Sequence, residues 1–353
     1  MAADAASADL ARAPELQLVA RWDLDKTYLR TEFDTVRDLV RTAVERPDRK
    51  RSVPGAAALL RELKKSGARV HILSGSPRQM RGRLEEKLAI DRVRYDELTL
   101  KPNLSNALRL RFRAMRDQLG YKLPSLLYAR SHDQALAQAP SALSEILVGD
   151  DAEADAFVYS LYADVCSGLV DQTLLARVLD KGKVYADQAE LALSSARQIE
   201  PTPVVRRILI HLDRQTPPST FREYGPRVVP FYNYLQAAIV LLEDGYVSGE
   251  GVLRVASELI QQHRFDADAL TRSYFDLVKR SHIQGRAVEP LARALTELRG
   301  RLPTREELTV MVERMGAGIP AATGPGPAEP VLDYVALAER HRGGKNRRKP
   351  GAR

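Results

Sequence analysis

Asp23 and Asp25 stand one residue apart at the end of an apolar run, in the stretch RWDLDKT at 21–27. Alternation along a strand sends both carboxylates to one face. Like charges that close repel unless something positive lies between them. More acids follow in GDDAEAD at 149–155, which supplies Asp150, Asp151 and Asp155. Carboxylates from two strand ends, with a backbone carbonyl, make the oxygen-only site that Mg²⁺ prefers. The cation is then the missing positive charge, and it holds one carboxylate ionised and ready to attack. Ser74 and the backbone N–H groups beside it, Gly75 included, offer donors to an anion, and Lys122 offers a fixed positive charge. Together these describe a site for a phosphoryl group, whose transfer needs mostly positioning and charge neutralisation.

The elements that must position these residues follow from the apolar pattern. LQLVARWDL reads as a buried strand ending at the aspartates, ARVHILSGS as a second and EILVGDD as a third. Between and after them, VPGAAALLRELKKSG, PRQMRGRLEEKLA, LSNALRLRFRAMRDQLG and AEADAFVYSLYADV read as helices, with Lys122 after the long third one. Pro54 suits a first turn and Gly67 a helix end. Strands alternating with helices argue for an α/β fold with a Rossmann-like parallel sheet, whose ligand crevice lies outside the carboxyl ends of the strands.

Length and composition bound the rest. The 353 residues allow two domains on a prior of ~150 residues each. Residues 1–14 are expected to be disordered, 15–180 to form the catalytic α/β domain, and 181–314 an all-helical C-terminal domain. In that half VVRRILIHLDRQ, VVPFYNYLQAAIVLLEDG, SGEGVLRVASELIQQHR, DADALTRSYFDLVKR and AVEPLARALTELRGRL all read as amphipathic helices. A Gly/Pro linker at 315–330 and a short helix with a basic tail at 331–353 complete the organisation. The net charge of +8 comes largely from that tail, through Arg340, Arg342, Lys345, Arg347, Arg348, Lys349 and Arg353. An anionic membrane surface or a nucleic acid is the partner such a tail suits, though nothing in it reads bases. Cys166 is the only cysteine, which excludes an internal disulfide and suits a reducing cytoplasm. No apolar run approaches the ~18 residues of a membrane span. His71 reads as a core residue within its strand; His132, His211, His263 and His282 have no metal spacing.

The ordered motifs carry a resemblance. The chain resembles the haloacid dehalogenase superfamily of aspartate-nucleophile phosphatases: D-x-D-x-T matches Asp23 to Thr27, a strand ending in Ser or Thr matches VHILS with Ser74, a lysine matches Lys122, with Lys101 as its rival, and the acidic pair matches Asp150 with Asp151 or Asp155. The resemblance implies Asp23 as nucleophile and Asp25 as general acid and then base. It also implies Thr27 as loop support, and Ser74, Gly75 and Lys122 as phosphate ligands. The Mg²⁺ shell is drawn from Asp23, Asp25 and Asp150, with Asp151 or Asp155. HILSGSP, TLKPNL and ILVGDDAEADAFVY further resemble a phosphatidate-phosphatase catalytic family, from which Lys26, Tyr121 and Asp151 depart. The expectation is a Mg²⁺-dependent phosphomonoester phosphatase with little or no cap, at most residues 32–50, open to a bulky or lipid substrate. The competing expectations are a catalytically silent scaffold of the same fold and a nucleic-acid end phosphatase.

Overall fold

The computed structural model of the chain describes residues 17–29, 52–101, 115–133, 143–298, 302–318 and 328–343. The expected disordered start, the cap segment 32–50, most of the Arg-rich stretch 108–116 and the distal basic tail lie outside these residues.

Six parallel strands form one sheet: β1 Gln17–Asp23, β2 Arg69–Pro77, β3 Glu97–Lys101, β4 Leu143–Asp150, β5 Val205–His211 and β6 Val228–Phe231. Their order across the sheet is β3-β2-β1-β4-β5-β6, a doubly wound arrangement. Helices cover both faces. Against one lie α1 Ala56–Lys65, α2 Arg81–Ile90, α7 Tyr234–Glu243, α8 Gly249–His263, α9 Ala267–Lys279, α10 Val288–Glu297 and α11 Arg305–Ala317. Against the other lie α3 Met115–His132, α4 Asp155–Cys166, α5 Gln172–Lys181, α6 Ala186–Arg197 and α12 Tyr334–Gly343. Alternation along β1 feeds both cores: Ala20 and Trp22 enter the first, Val19 the second. Among the described residues no helix is long and apolar enough to cross a membrane.

Two segments expected as helices are strands. VVRRILIHLDRQ contains β5 and VVPFYNYLQAAIVLLEDG opens with β6, both paired parallel in the sheet. The region 181–314 is therefore not an all-helical unit. Its strands widen the sheet, and α7 to α11 share one core with β1 and α1. The expected linker also begins later, because α11 runs to Ala317. Three helices of this half, α7 to α9, start on side-chain caps: Asn233 accepts from Gln236 N–H, Ser248 from Gly251, and Asp266 from Ala269. Gly55, before α1, has φ +82°, and a Cβ there would stand 2.9 Å from Tyr234 Cβ. A side chain at this position would force α7 away from α1.

Inside the second core lies a charged network. Glu145 on β4 accepts from Arg21 Nε (2.9 Å) and Nη2 (3.1 Å), Arg130 Nη1 (3.2 Å) and Tyr162 Oη (2.7 Å), and the carboxylate is fully buried. Those donors hold its pKa below the usual carboxylate range despite desolvation, with Arg21 the strongest favourable influence. Removing the anion strands two guanidiniums in an apolar layer. Glu145→Ala is expected to cost about 3–5 kcal/mol of unfolding free energy in urea titrations.

A second expectation concerns acid. Burial, followed by Arg21, lowers the His71 pKa to about 4, outweighing half-exposed Glu97 at 3.5 Å. Burial, followed by Arg280, does the same for His282. The folded chain keeps both rings neutral where the unfolded chain, with a value near ~6.5, protonates them. Their contribution is complete above that value and is lost as pH falls toward 4. Urea midpoints should drop across this window, less steeply in His71→Gln.

Candidate functional site

The strand order reverses between β1 and β4, so the connections leave on opposite sides and open a crevice at these two carboxyl ends. Asp23 is the last residue of β1 and Asp150 the last of β4. Beyond Asp23 the chain turns at once. Leu24 N–H still bonds Leu73 O (3.0 Å), but Tyr28 and Leu29 N–H fold back onto Leu24 O, and Lys26 takes φ 58°. The turn corrects the expectation that Asp23 and Asp25 share a strand face. Asp23 is buried at the strand end, whereas Asp25 is half-buried on the turn and accepts from Ser74 Oγ at 3.0 Å. Ser74 also accepts from Ser76 N–H (3.1 Å), and its carbonyl receives Tyr121 Oη (2.6 Å). Gly75 passes beside Asp25, a Cβ there falling 4.0 Å from Asp25 Oδ2. Thr27 is fully buried, with Oγ1 3.5 Å from Asp23 Oδ2.

After β4 the segment 150–155 wraps around its own first carboxylate. Ala152 and Glu153 N–H donate to Asp150 Oδ1 (2.6 and 3.0 Å), and Asp150 N–H donates to Asp155 Oδ2 (3.0 Å). Gly149 makes this possible: a Cβ there would lie 2.2 Å from Asp155 Oδ2. Lys122 comes from within α3, not from beyond a helix as expected. Its ammonium contacts Asp155 Oδ1, Glu153 Oε2 (2.8 Å) and Asp23 Oδ1 (3.1 Å).

Asp23, Asp150, Glu153 and Asp155 each bring an oxygen within 4.8 Å of the others. The first and last of the sequence-derived acids thus meet, together with Lys122. Asp151 does not join them. Its carboxylate receives Arg214 N–H (2.8 Å) and Thr216 N–H (2.9 Å), so two backbone donors turn it toward the loop after β5. The Asp25 carboxylate is likewise outside this group, held at Ser74. Lys101 ends β3 with its ammonium 5.8 Å from the centre of the Tyr121 ring, while Lys122 occupies the cluster. Glu153 was not singled out in the sequence. The signal was its place three residues past Asp150, on the turn whose amides close around that carboxylate.

Four carboxylates face one ammonium. Burial, with the neighbouring acids, pushes the Asp23, Asp150 and Asp155 carboxyls above their ordinary range, against the pull of Lys122. Asp155, Asp23 and Glu153, in that order, raise Lys122 despite its own desolvation. Counted over the described residues, the cluster is short of positive charge. Among the described residues Asp150 Oδ2 is buried without a hydrogen-bond partner, an acceptor of the kind a hard cation satisfies. The donor set therefore fits a metal ion. No model of a known protein family matches the chain, and no curated protein matches it.

A bound divalent cation should raise the melting temperature, because it binds only the assembled cluster. At 100 times its Kd it adds about 2.7 kcal/mol. Titration of Mg²⁺ or Mn²⁺ into the full chain, followed by differential scanning fluorimetry, should show this shift in the wild type and lose it in Asp150→Asn.

Proposed function

We propose that the chain is a Mg²⁺-dependent phosphomonoester phosphatase of the haloacid dehalogenase type, working through an aspartyl-phosphate on Asp23. The observation that carries this reading is the convergence of Asp23, Asp150, Glu153 and Asp155 around Lys122 at the strand-order reversal, with Asp25 and Ser74 beside them. An acidic cluster alone fits many cation sites. An acidic cluster with a buried lysine and a second aspartate two residues from the first fits phosphoryl transfer.

Asp23 and Asp150 would hold the cation, with Glu153 at the more exposed side; Asp155 is occupied by Lys122 and Asp150 N–H. Mg²⁺, when bound, supplies the positive charge that phosphoryl oxygens need. The Asp23 carboxylate attacks phosphorus as the bond from phosphorus to the leaving oxygen breaks. Asp25 gives its proton to that oxygen. Asp25 then takes a proton from water, whose oxygen bonds to phosphorus as the Asp23–phosphorus bond breaks, releasing phosphate and the free carboxylate. Lys122 balances charge on the phosphoryl group, and Ser74 holds the Asp25 carboxyl in place.

Purified full chain with Mg²⁺ should hydrolyse p-nitrophenyl phosphate, and a chelator should abolish the activity. Asp25→Asn should lower kcat by a factor on the order of 10²–10⁴, the range of general acid–base catalysis. Asp23→Asn should eliminate both turnover and the acid-stable phosphoenzyme trapped by rapid quench. Turnover that survives Asp23→Asn excludes this mechanism.

A further inference from the structure

Beside the proposed phosphoryl site lies a cleft of about 1380 Å³, along the carboxyl ends of β5 and β6 and facing α1, α2 and the end of α8. It adjoins the catalytic turn directly. His211, in its wall, pairs in register with Asp150 across β4 and β5, and its Nδ1 lies 3.3 Å from Lys26 O. Val53, also in the wall, donates its N–H to Tyr28 O (2.7 Å), and Tyr28 Oη reaches Asp91 on the far side (2.5 Å). A phosphate group needs none of this room. The cleft exceeds even the ~300–1,000 Å³ of an ordinary small-molecule site.

Resting on the phosphatase reading above, we infer that this cleft binds the leaving alcohol of the substrate and that this alcohol is an uncharged polyhydroxylated group, sugar-like in chemistry. Two features of the wall carry the assignment. First, its described residues have no charge excess. Arg61, Lys87 and Arg92 are matched by Asp91, Asp213 and Glu258. Arg61 is paired with Glu258 and Lys87 with Asp91 at 2.7 Å, so most of these charges are already spent on each other. A polyanion such as a nucleic-acid end finds no surplus of cations among these described residues.

Second, polar side chains outnumber apolar ones among the described lining residues. An acyl chain would take water from the polar side chains outside these pairs, Arg92, Asp213 and Gln262, which is costly. Hydroxyls would instead satisfy them, and the exposed ring of Tyr232 offers a flat apolar face for a sugar ring. The wall is also held in place. Leu212 and Asp213 belong to the loop that Asp151 clamps through Arg214 and Thr216 N–H, which assigns Asp151 to shaping the cleft next to the acid cluster.

The test compares a hexose 6-phosphate, a short-chain diacylglycerol phosphate, a 5′-phosphorylated oligonucleotide and p-nitrophenyl phosphate on the full chain with Mg²⁺. The hexose phosphate is expected to have the highest kcat/KM. Tyr232→Ala and Gln262→Ala should each raise its KM by about tenfold relative to their effect on p-nitrophenyl phosphate, the equivalent of one lost contact of ~1.4 kcal/mol. A preference for the lipid or the oligonucleotide, or equal KM effects on both substrates, overturns the assignment while leaving the phosphatase intact. If no phosphomonoester is cleaved, the proposed reaction falls by itself. Calorimetric binding of the hexose phosphate, weakened by Tyr232→Ala, then still supports the cleft, and absent binding overturns it.

Discussion

One buried ammonium among four carboxylates is the constraint around which this fold is organised. Asp23, Lys122 and Asp155 are each almost wholly removed from water, which is tolerable for charged groups only when they compensate one another. They come from β1, α3 and α4, and Asp150 joins them from β4. The same four elements carry a second polar layer deeper in the core: Arg21 on β1, Arg130 on α3, Tyr162 on α4 and Glu145 on β4. The two layers lean in opposite directions, since the lower has two guanidiniums for one carboxylate and the upper has the acid excess. A slip of any of these elements by one residue would break both layers at once. That double requirement fixes the register of the sheet centre more firmly than apolar packing alone, where one Leu or Val replaces another at modest cost.

What the sequence disclosed, and what it withheld, follows from the same physics. Strands buried on both faces advertise themselves as runs of Val, Ile and Leu, and β1, β2 and β4 were legible for that reason. The edge strand β3, Glu97–Lys101, is five residues long and has only Leu98 and Leu100 buried, too little pattern to stand out from a loop. The two arginines of β5 point partly or wholly outward before a short apolar run, and that spacing matches a helix face as well as a strand. β6 contains Pro230, which a central strand would reject, but β6 is the last strand of the sheet. Tertiary position decided each of these cases, and tertiary position is what local periodicity lacks.

The site divided along similar lines. Residues fixed by their own strand end, Asp23, Ser74 and Asp150, could be named from the chain alone, whereas Asp151 and Asp155 stood as alternatives. The choice between them could not be made there, because the amides that claim the Asp151 carboxylate lie more than sixty residues away on the loop after β5. Glu153 was overlooked for the opposite reason: it sits in plain view, but only the wrapping of the 150–155 turn around Asp150 brings it to the ammonium. The short helix α12 belongs with these distant effects. Tyr334 donates to Asp164 at 2.6 Å, and Leu337 and Ala338 are buried against the second core, so the segment before the basic tail is part of the folded body. Arg340 within it already pairs with Glu223, which reduces the charge that end presents to a partner.

The turn at Lys26 gives two aspartates of one motif two different environments. Asp23 is enclosed, shares Lys122 with two other acids, and has no direct contact with bulk water. Asp25 is half-exposed and anchored by Ser74. A nucleophile benefits from enclosure, since a dry site strengthens each electrostatic contact and keeps water from competing before the intermediate forms. An acid that must become a base requires the reverse: access to a leaving oxygen and then to a water molecule. Had the strand continued for two more residues, both carboxylates would have faced one layer with equal burial and no reason to divide the labour. On the proposed reaction, the turn that follows Asp23 and carries left-handed Lys26 just past Asp25 is therefore as consequential as either acid, because it sets the difference in burial that assigns each its part.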